Sequence, residues 1–506
     1  MSPVPVLIAG TGPTGMALAL SLARRGVKPR IVDPQPGPAT HSRAMAVHAR
    51  TLEFYRQFGF ADEVVAAGVP VRAAHLRRQG RDGAPFEAAR LEFTGMGEGL
   101  SPYPFVLAYP QDDHERLLTR RLAEQGVSVD WGVALKDFSQ DGAGVRATLE
   151  GPRGTETVEA LYLAGCDGGH SQVRQGLGVG FSGGAYEQRF FVADVKIAGG
   201  FERDLYFNLG AHTLVLMLPV RSSGMQRLIG LVPPALADQR ELDFEHLRGE
   251  IEPLAGIKVE AVNWFSIYRV HHRVADRFQV GRAFLAGDAG HVHSPAGGQG
   301  MNTGIGDAMN LGWKLADVVR GRAAPALLDS YEPERIAFAR ALVSTTDRAF
   351  RTMIDKGFAG EVVRNLLAPA LAGLVSHLPP ARQSVFRLIS QIEIRYPDSP
   401  LSRGEAGVHG GDRLPWVGEI DNFAPLASLD WQVHAYGEPL LGLAAACARH
   451  GLALHLFDGG EAADRAGLRG GAAYLVRPDG YVGLAAGANF GAELDAYVQA
   501  HGLQLD

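Results

Sequence analysis

The stretch Val4-Pro5-Val6-Leu7-Ile8-Ala9-Gly10-Thr11-Gly12-Pro13-Thr14-Gly15 decides the fold. Its first six residues form a short apolar run, which is typical of a strand buried on both faces. The glycines that follow have the spacing G-x-G-x-x-G, and the residues after them predict a helix and then a second strand at Val27–Val32. Strand, helix and strand within about thirty residues make a βαβ unit.

The glycine turn predicts a dinucleotide site. Its glycines let the backbone approach a pyrophosphate, and the N-terminus of the helix offers free N–H groups and a partial positive charge. Asp33 closes the second strand, near the ~20-residue spacing expected for a carboxylate that accepts from ribose hydroxyls. The acidic side chain suits FAD or NAD better than a 2′-phosphate. The predicted cofactor-binding residues of this region are Gly10, Gly12, Pro13, Thr14, Gly15 and Asp33.

Two further motifs fit the same cofactor. Gly287-Asp288 follows the short apolar strand Ala283–Ala286, and a second glycine loop, Gly297–Asn302, opens a long helix predicted over Gly300–Arg320. One FAD molecule could use both helix N-termini, with Asp288 on its ribityl chain. The third motif, Cys166–Arg174, runs from a strand into Asp-Gly and a helix, and taken alone it is equally well explained as a turn capped by a serine.

Composition narrows the class of protein. The chain has 506 residues, 46% hydrophobic and 21% charged, with a net charge of −6 and a pI near 6.3, so nothing favours nucleic acid. Cys166 and Cys447 are the only cysteines, which excludes a disulfide framework and favours a reducing, cytoplasmic setting. No apolar run reaches the ~18–20 residues of a membrane span.

At this point the chain resembles a known family. Gly10–Gly15, Asp167–Arg174 and Gly287–Asn302 look like the three signatures of the single-component, class A flavin-dependent aromatic hydroxylases. The segments Ser42–Glu53 and Gln111–Arg116 are also similar to family segments. The likeness covers about residues 1–345. Farther on, Leu475-Val476-Arg477-Pro478-Asp479-Gly480 resembles the thioredoxin-like domain of the phenol hydroxylase and polyketide hydroxylase branch.

The resemblance implies an α/β fold in which a Rossmann-like FAD-binding domain carries an inserted, mainly antiparallel substrate sheet and a thioredoxin-like C-terminal domain. The patterns place helices at Ala44–Phe58, Gln111–Gln125 and Phe244–Ile251, helical structure over Pro325–Arg395, and a boundary near Ser399–Gly411. The predicted parts are residues 1–180 (FAD-binding, including an edge segment 70–105), 181–270 (substrate sheet), 271–400 (FAD-binding and helical linker) and 401–506 (thioredoxin-like).

The resemblance also implies the chemistry. NADPH or NADH binds transiently and reduces FAD, the reduced flavin captures O2 as a C4a-hydroperoxide, and the distal oxygen goes to a phenolic or polycyclic aromatic ring. The protein supplies position and a dry site. Pro295 is the one residue predicted to be catalytic, because in the family the backbone from Pro295 to Asn302 lies against the flavin ring. The other cofactor-binding residues implied are Arg43, Gln111, Asp167, Arg174, Gly287, Asp288, Gly298, Gly300, Met301 and Asn302.

The substrate pocket is expected between the flavin and the sheet of residues 181–270. Phe207, Met217 and Tyr268 are candidates for its lining, although ordinary core packing explains any one of them better. Arg227 and Arg269 are candidates for contact with a substrate carboxylate. The resemblance to the family also implies a homodimer. The alternatives are a related oxidase, reductase or epoxidase, and a flavin-binding regulator without catalysis.

Two other interpretations carry less weight. Asp288, His291 and His293 could ligate a metal, but their glycine loop favours the flavin and no metal is expected. Gly169–Val173 lacks the last glycine of a nucleophile elbow, which argues against a serine hydrolase. The C-terminal part has no cysteine pair, so it cannot perform dithiol exchange.

Overall fold

A computed structural model describes residues 3–40, 44–80, 83–201, 203–210, 213–294, 296–354 and 378–505. Its strands, numbered in chain order, are β1 Val4–Ala9, β2 Arg30–Asp33, β3 Ala46–Val47, β4 Val69–Val71, β5 Ala73–Gln79, β6 Pro85–Glu92, β7 Val106–Ala108, β8 Val129–Trp131, β9 Ala134–Gln140, β10 Val145–Gly151, β11 Gly154–Gly165, β12 Phe181–Ile197, β13 Leu205–Leu209, β14 Leu214–Val220, β15 Met225–Leu231, β16 Val259–Ala275, β17 Gln279–Val280, β18 Ala283–Leu285, β19 His291–Val292, β20 Arg403–Ala406, β21 Val408–His409, β22 Gln432–Tyr436, β23 Ala453–Phe457, β24 Ala473–Val476 and β25 Val482–Ala486. Its α-helices are α1 Pro13–Arg24, α2 Ala49–Gln57, α3 Ala61–Ala67, α4 Gln111–Glu124, α5 Gln172–Gly176, α6 Phe244–Ala255, α7 Gly300–Val319, α8 Tyr331–Ile354, α9 Pro379–Ser390, α10 Leu443–Arg449, α11 Glu461–Arg465 and α12 Phe490–His501.

The first sheet carries both glycine turns. Its strand order is β17-β18-β11-β1-β2-β8, with β10 and β9 continuing from β11. β1 runs parallel to β2 and β11, and β11 runs parallel to β18. The loops that follow these parallel strands therefore meet at one edge, which is where open α/β sheets bind ligands. The βαβ unit predicted at the N-terminus is confirmed.

The second sheet is mainly antiparallel, as predicted. Its order is β19-β16-β12-β15-β14-β13-β5-β6, and its longest strands, β12 and β16, pair with each other over most of their 17 residues. One face packs under helix α6. The hairpin of β5 and β6 comes from segment 70–105, which the sequence placed with the first part; here β5 pairs in parallel with β13 and extends the second sheet. Its alternating polar and apolar residues suit a half-exposed antiparallel sheet.

The segment before helix α2 differs from its predicted form. A helix was expected from Ala44, but Ala46–Val47 forms a strand that pairs with β7, and the helix begins only at Ala49. The cause is tertiary, because the side chain of Asn302 bonds to the main chain at both Ala46 and His48. Contacts from a residue so far along the chain cannot be seen in a local pattern.

The C-terminal sheet has the order β21-β20-β25-β24-β22-β23. β22 runs parallel to β23 and antiparallel to β24, and residues of α10 and α12 share a buried cluster with these strands. The predicted boundary region Ser399–Gly411 contains β20 and β21, and β20 pairs with β25. This Gly- and charge-rich segment is thus part of the C-terminal sheet rather than a linker.

Buried ion pairs join the C-terminal sheet to helices α7 and α8. Glu334 accepts from Lys314 at 2.7 Å and from both terminal nitrogens of Arg477 at 2.7 and 3.0 Å, and all three side chains are fully buried. Arg477 also binds Asp479, which accepts from the indole of Trp313 at 3.0 Å. Breaking a buried pair of this kind costs about 3–5 kcal/mol. The turn at residues 477–480 is therefore fixed against helix α7.

Helices α8 and α9 confirm helical structure at both ends of Pro325–Arg395, while residues 355–377 lie outside the described residues. Among the helices that the structure describes, none combines the length and apolar character that crossing a membrane requires.

The burial of two histidines, His48 and His434, predicts that the folded state becomes less stable in mild acid. Burial lowers the pKa of His434 to about 3 and that of His48 to about 4, both below the ordinary 6.5. The unfolded chain therefore binds more protons below pH 6.5, so the stability these residues contribute is complete above pH 6.5 and is lost as the pH falls toward 3–4. We expect the free energy of unfolding, measured with urea, to fall between pH 7 and pH 5.

The variant His434→Leu isolates one of these groups. It removes a side chain whose protonation opposes folding, so its stability should fall by about 2 kcal/mol less between pH 7 and pH 5 than that of the wild type. An unchanged pH dependence in the variant would show that His434 does not titrate in the way its burial requires.

Candidate functional site

The first glycine turn follows β1. Gly10 has φ +101°, and a Cβ there would lie 2.2 Å from the carbonyl oxygen of Cys166. A Cβ at Gly15 would lie 2.0 Å from the oxygen of Gly10. Gly12 is different, because a Cβ there meets nothing within 4 Å. Two glycines thus serve internal packing, whereas Gly12 leaves open space at the start of helix α1.

The N-terminus of α1 has the features of an anion site. Pro13 occupies its first turn, and Gly12, at the N-cap, makes no side-chain hydrogen bond. The first N–H groups of the helix therefore have no side-chain cap, and open space lies in front of them. Asp33 lies at the adjacent strand end, where its Oδ2 accepts from Thr11 N and Oγ1, both at 2.8 Å. Its Oδ1 accepts from Gln35 N at 2.8 Å and keeps a lone pair for another donor.

The second glycine turn lies directly against the first. A Cβ at Gly287 would lie 2.6 Å from Thr14 Oγ1, and one at Gly304 would lie 2.3 Å from the same atom. Thr14 is thus enclosed by the turn after β18 and by helix α7. Asp288 is exposed, between buried Gly287 and buried Ala289. The two predicted cofactor motifs, about 280 residues apart in sequence, are thus in direct contact.

The Gly287 turn is held by a carboxylate that the sequence analysis missed. Asp307, on α7, accepts from Gly287 N at 2.9 Å, His291 Nε2 at 2.7 Å and Arg335 Nε at 2.6 Å. Burial alone would raise the pKa of Asp307, but the charge of Arg335 and the contact with His291 hold it below its ordinary value. The carboxylate is thus ionised and fully paired. Asp307 stands among small and apolar residues, from Gly304 to Met309, and this placement was the available signal in the sequence.

The loop that opens α7 contains two glycines with positive φ, Gly297 at +79° and Gly298 at +62°. Asn302 crosses this loop: its Nδ2 donates to Gly298 O at 3.0 Å and to Ala46 O at 2.9 Å. Helix α7 begins at Gly300, and its N-cap, Gln299, makes no side-chain capping bond. Met301 is half-buried in the first turn of α7. Pro295 lies outside the described residues.

The Asp167–Arg174 motif lies between the two glycine turns, because the strand that precedes it, β11, lies between β1 and β18 in the first sheet. Asp167 Oδ2 accepts from Gln172 N at 2.7 Å and Val173 N at 3.1 Å, while its buried Oδ1 has no hydrogen-bond partner among the described residues. Burial raises the pKa of Asp167. Arg174 donates to the carbonyls of Ala289 and Gly169 at 2.8 and 2.7 Å, so it ties this motif to the Gly287 turn. The capping role considered for the serine of this motif is confirmed, since Ser171 accepts from Arg174 N.

Gln111 lies at the start of α4, beside the same edge. Its main-chain N donates to Ala44 O at 3.1 Å, and its side chain donates to Glu115 Oε1 at 2.8 Å. Glu115 also accepts from Ala39 N at 2.9 Å, so this pair organises the segment that leads to Arg43. Arg43 itself lies outside the described residues.

The second sheet presents a row of side chains toward the first. One residue from each of five neighbouring strands lies in this row, here called the wall: Phe207 on β13, Leu216 on β14, Ile229 on β15, Val192 on β12 and Ser266 on β16. All but Val192 are partly exposed, and Phe207 and Leu216 also touch the core of the first sheet. The row is roughly 19 Å long at ~4.8 Å per strand. Its four apolar residues and one serine make a nearly uncharged wall.

Four of the candidate substrate residues divide between the two faces. Phe207 and Tyr268 stand on the wall side, where the ring of Tyr268 stacks on Phe190 at 5.7 Å. Met217 stands on the opposite face and is buried under α6, which gives it a core role. Arg227 is on the wall side, but its guanidinium is bound bidentately by Asp194 at 2.7 and 2.7 Å. Its charge is already neutralised, so its geometry does not support recognition of a substrate carboxylate.

The described residues contain no group of three or more His, Cys, Asp or Glu side chains that could hold a metal ion. His291 instead bonds to Asp307, and His293 Nδ1 lies 2.7 Å from Ser294 O. The arrangement as a whole fits a dinucleotide: two uncapped helix N-termini, open space at Gly12, and carboxylates at strand ends.

Comparisons with known proteins agree with this geometry. Residues 3–346 match the family model described as "FAD binding domain". The chain is 40% identical over 428 residues, 80% of its length and 73% of the relative's, to 6-methylpretetramide 4-monooxygenase of Streptomyces rimosus. The structure of OxyS anhydrotetracycline hydroxylase from Streptomyces rimosus aligns with a TM-score of 0.78 at 31% identity, over 98% of each chain. That of the flavin-dependent monooxygenase PieE, in complex with FAD and substrate, aligns with a TM-score of 0.79 at 25% identity, over 98% of this chain and 100% of that one.

The missed carboxylate yields a prediction. Asp307→Asn keeps the shape of the side chain but leaves buried Arg335 without its counter-charge. We expect the free energy of unfolding in urea to fall by about 3–5 kcal/mol. The control variant Asp329→Asn replaces an exposed side chain on the segment before α8. It should change the free energy of unfolding by less than about 0.5 kcal/mol. Equal stability of the two variants would contradict the role assigned to Asp307.

Proposed function

The chain belongs to the FAD-binding family of flavin-dependent aromatic monooxygenases, and on that premise we propose that it hydroxylates a neutral phenol of several fused rings. The observation that carries the proposal is the uncharged five-strand wall of the second sheet. A single ring would cover only part of it, and a substrate with a carboxylate would find no unpaired arginine at Arg227. The reaction uses FAD, NAD(P)H and O2.

The relatives support the choice of substrate class. One is named for 6-methylpretetramide and another for anhydrotetracycline. We propose a fused-ring phenol of that kind for this chain. The direct test is to measure NADPH and NADH oxidation with single-ring and fused-ring phenols and to look for a product heavier by one oxygen. Stimulation by single-ring phenols alone would refute the proposal.

The residues around the glycine turns would hold FAD. We propose that the N-terminus of α1, open at Gly12, takes the pyrophosphate, that Asp33 takes the ribose and that Asp288 takes the ribityl chain. The N-terminus of α7 would face the pyrimidine edge. FAD supplies the redox chemistry and the activation of O2 when bound, whereas the chain binds and orients both molecules and excludes water.

The protein's own contribution is geometric. The apolar wall orients a flat ring system without charge, and Ser266 at its end offers one hydroxyl. Phe207 and Tyr268 remain proposed substrate residues, while Met217 and Arg227 are not proposed, because one is buried on the other face and the other is paired. The N–H groups at the start of α7 are fixed before the reaction, so they can stabilise developing negative charge without rearranging.

We propose the boundaries 1–180, 181–270, 271–400 and 401–506 for the parts of the chain, with β5 and β6 added to the second. The mixed sheet flanked by α10 and α12 supports a thioredoxin-like identity for the last part. Its single cysteine, Cys447, is buried, so its role is structural rather than redox. Both cysteines are free and buried, which supports a reducing, cytoplasmic setting.

A pair of glycine variants tests the cofactor site. Gly12 has φ −61°, and open space surrounds its Cβ position, so Gly12→Val should fold normally but obstruct the pyrophosphate. We expect wild-type stability of the apoprotein and at least about a tenfold loss of FAD affinity, measured by titration. Gly10→Ala should instead damage folding, because its Cβ would collide with the backbone at Cys166. Wild-type FAD affinity in Gly12→Val would contradict the assignment.

A second pair tests the wall. Phe207→Ala removes an apolar side chain from the proposed substrate face, so KM for a fused-ring phenol should rise about tenfold. Met217→Ala is the control, because Met217 lies on the opposite face of the adjacent strand. It should lower the free energy of unfolding by about 2–5 kcal/mol and leave KM unchanged. A larger effect on KM in Met217→Ala than in Phe207→Ala would reverse the assignment of the two faces.

A further inference from the structure

We propose that His48 is a positioning residue that sets the direction of the amide N–H groups in residues 297–299, here called the flavin turn. The proposal rests on the flavin site proposed above. His48 has 1% of its surface exposed and comes immediately before helix α2, so it lies behind the turn rather than within the open site. It would act on the flavin only through the backbone that it holds.

The side chain of His48 is a neutral donor. Its Nε2 lies 2.9 Å from the carbonyl oxygen of Gly297. Because a carbonyl can only accept, Nε2 must carry a hydrogen, and in the neutral imidazole Nδ1 then carries none. Nδ1 is buried and has no hydrogen-bond partner among the described residues. Burial also lowers the pKa of His48 to about 4, so the imidazole keeps this one tautomer at neutral pH.

The main chain of His48 also supports the flavin turn, through the side chain of Asn302. His48 N donates to Asn302 Oδ1 at 2.9 Å, and Thr51 Oγ1 donates to that oxygen at 2.8 Å. With its Oδ1 fixed in this way, Asn302 presents Nδ2 to the carbonyl of Gly298 at 3.0 Å. Two successive carbonyls of the flavin turn are therefore anchored by donors from His48 and Asn302.

Peptide geometry converts these anchors into a direction for the opposite groups. In a planar trans peptide the N–H points away from the C=O of the same unit. The anchored carbonyls of Gly297 and Gly298 therefore turn the N–H of Gly298 away from His48 and the N–H of Gln299 away from Asn302. The positive φ values of both glycines allow this, and the uncapped N-terminus of α7 continues the series. Successive N–H groups of this kind form a concave site for negative charge.

The effect of the His48 and Asn302 contacts on the flavin follows from the charge of its two redox forms. A reduced flavin carries more negative charge on its pyrimidine edge than an oxidised one. Fixed N–H groups facing that edge therefore stabilise the reduced form more, and loss of the anchor should affect the two redox forms unequally. A residue that merely supports the fold would weaken both forms alike.

The experiment compares three variants of the full chain. His48→Leu removes the donor, His48→Gln places an amide N–H near the position of Nε2, and His434→Leu is the matched control. His434 is also fully buried with a pKa lowered to about 3, and its Nε2 lies 2.9 Å from Gln432 Oε1, but it lies in the C-terminal sheet. The measurements are FAD affinity of the apoprotein and the midpoint potential of the bound flavin.

We expect His48→Leu to bind FAD about tenfold more weakly and to show a more negative midpoint potential. His48→Gln should recover part of both, and His434→Leu should match the wild type. The proposal is overturned if His48→Leu matches His434→Leu in potential, or if His48→Gln is as impaired as His48→Leu. Failure of the wild type to bind FAD would instead reject the flavin site itself.

If His48→Leu does not fold, Thr51→Val provides the test. It removes only the hydroxyl that holds Asn302 Oδ1. A smaller shift of the potential in the same negative direction is expected, and an unchanged potential overturns the proposal.

Discussion

The buried charges of helix α7 constrain the rest of the structure. An apolar helix would suffice to cover the first sheet, yet α7 carries Asp307 and Lys314 with no exposed surface. Asp307 binds the turn after β18 and Arg335, whereas Lys314 shares Glu334 with Arg477 of the C-terminal sheet. Burial lowers the pKa of Lys314 to about 8 in spite of Glu334, so this ion pair exists at a real desolvation cost. Helix α7, whose N-terminus faces the proposed flavin, is thereby held at two points along its length.

This constraint explains how a site assembled from distant segments stays rigid. Thr14 occupies the space that glycines at 287 and 304 leave, Arg174 ties a third segment to the Gly287 turn, and Asn302 ties the start of α7 to residues 46–51. Each of these contacts is made between groups of the protein itself. The site can therefore offer oriented N–H groups without reorganising, which is the condition under which electrostatic stabilisation is most effective.

The sequence predicted what depends on neighbouring residues. The glycine spacing predicted the first turn, the apolar runs predicted β1 and β18, and the strand alternation predicted the second sheet. It failed where distant contacts decide. Nothing local to Ala46 reveals that Asn302 keeps it extended, and nothing local to segment 70–105 reveals that β13 is its partner. Met217 and Phe207 look alike in sequence, and only the register of the strands separates their faces. Asp307 was missed because its partners lie on three other elements.

The pairing of Glu334 with Arg477 also bears on how such chains can be recombined. Arg477 neutralises Glu334, and Asp479 accepts from the indole of Trp313, so a chain that ended before residue 401 would deprive both buried side chains of these partners. The C-terminal sheet thus shares a buried set of charges with helices α7 and α8. An exchange of α7, α8 and the C-terminal sheet between relatives would also have to preserve two buried ion pairs with the rest of the chain, Asp317 with Arg25 and Arg413 with Glu53.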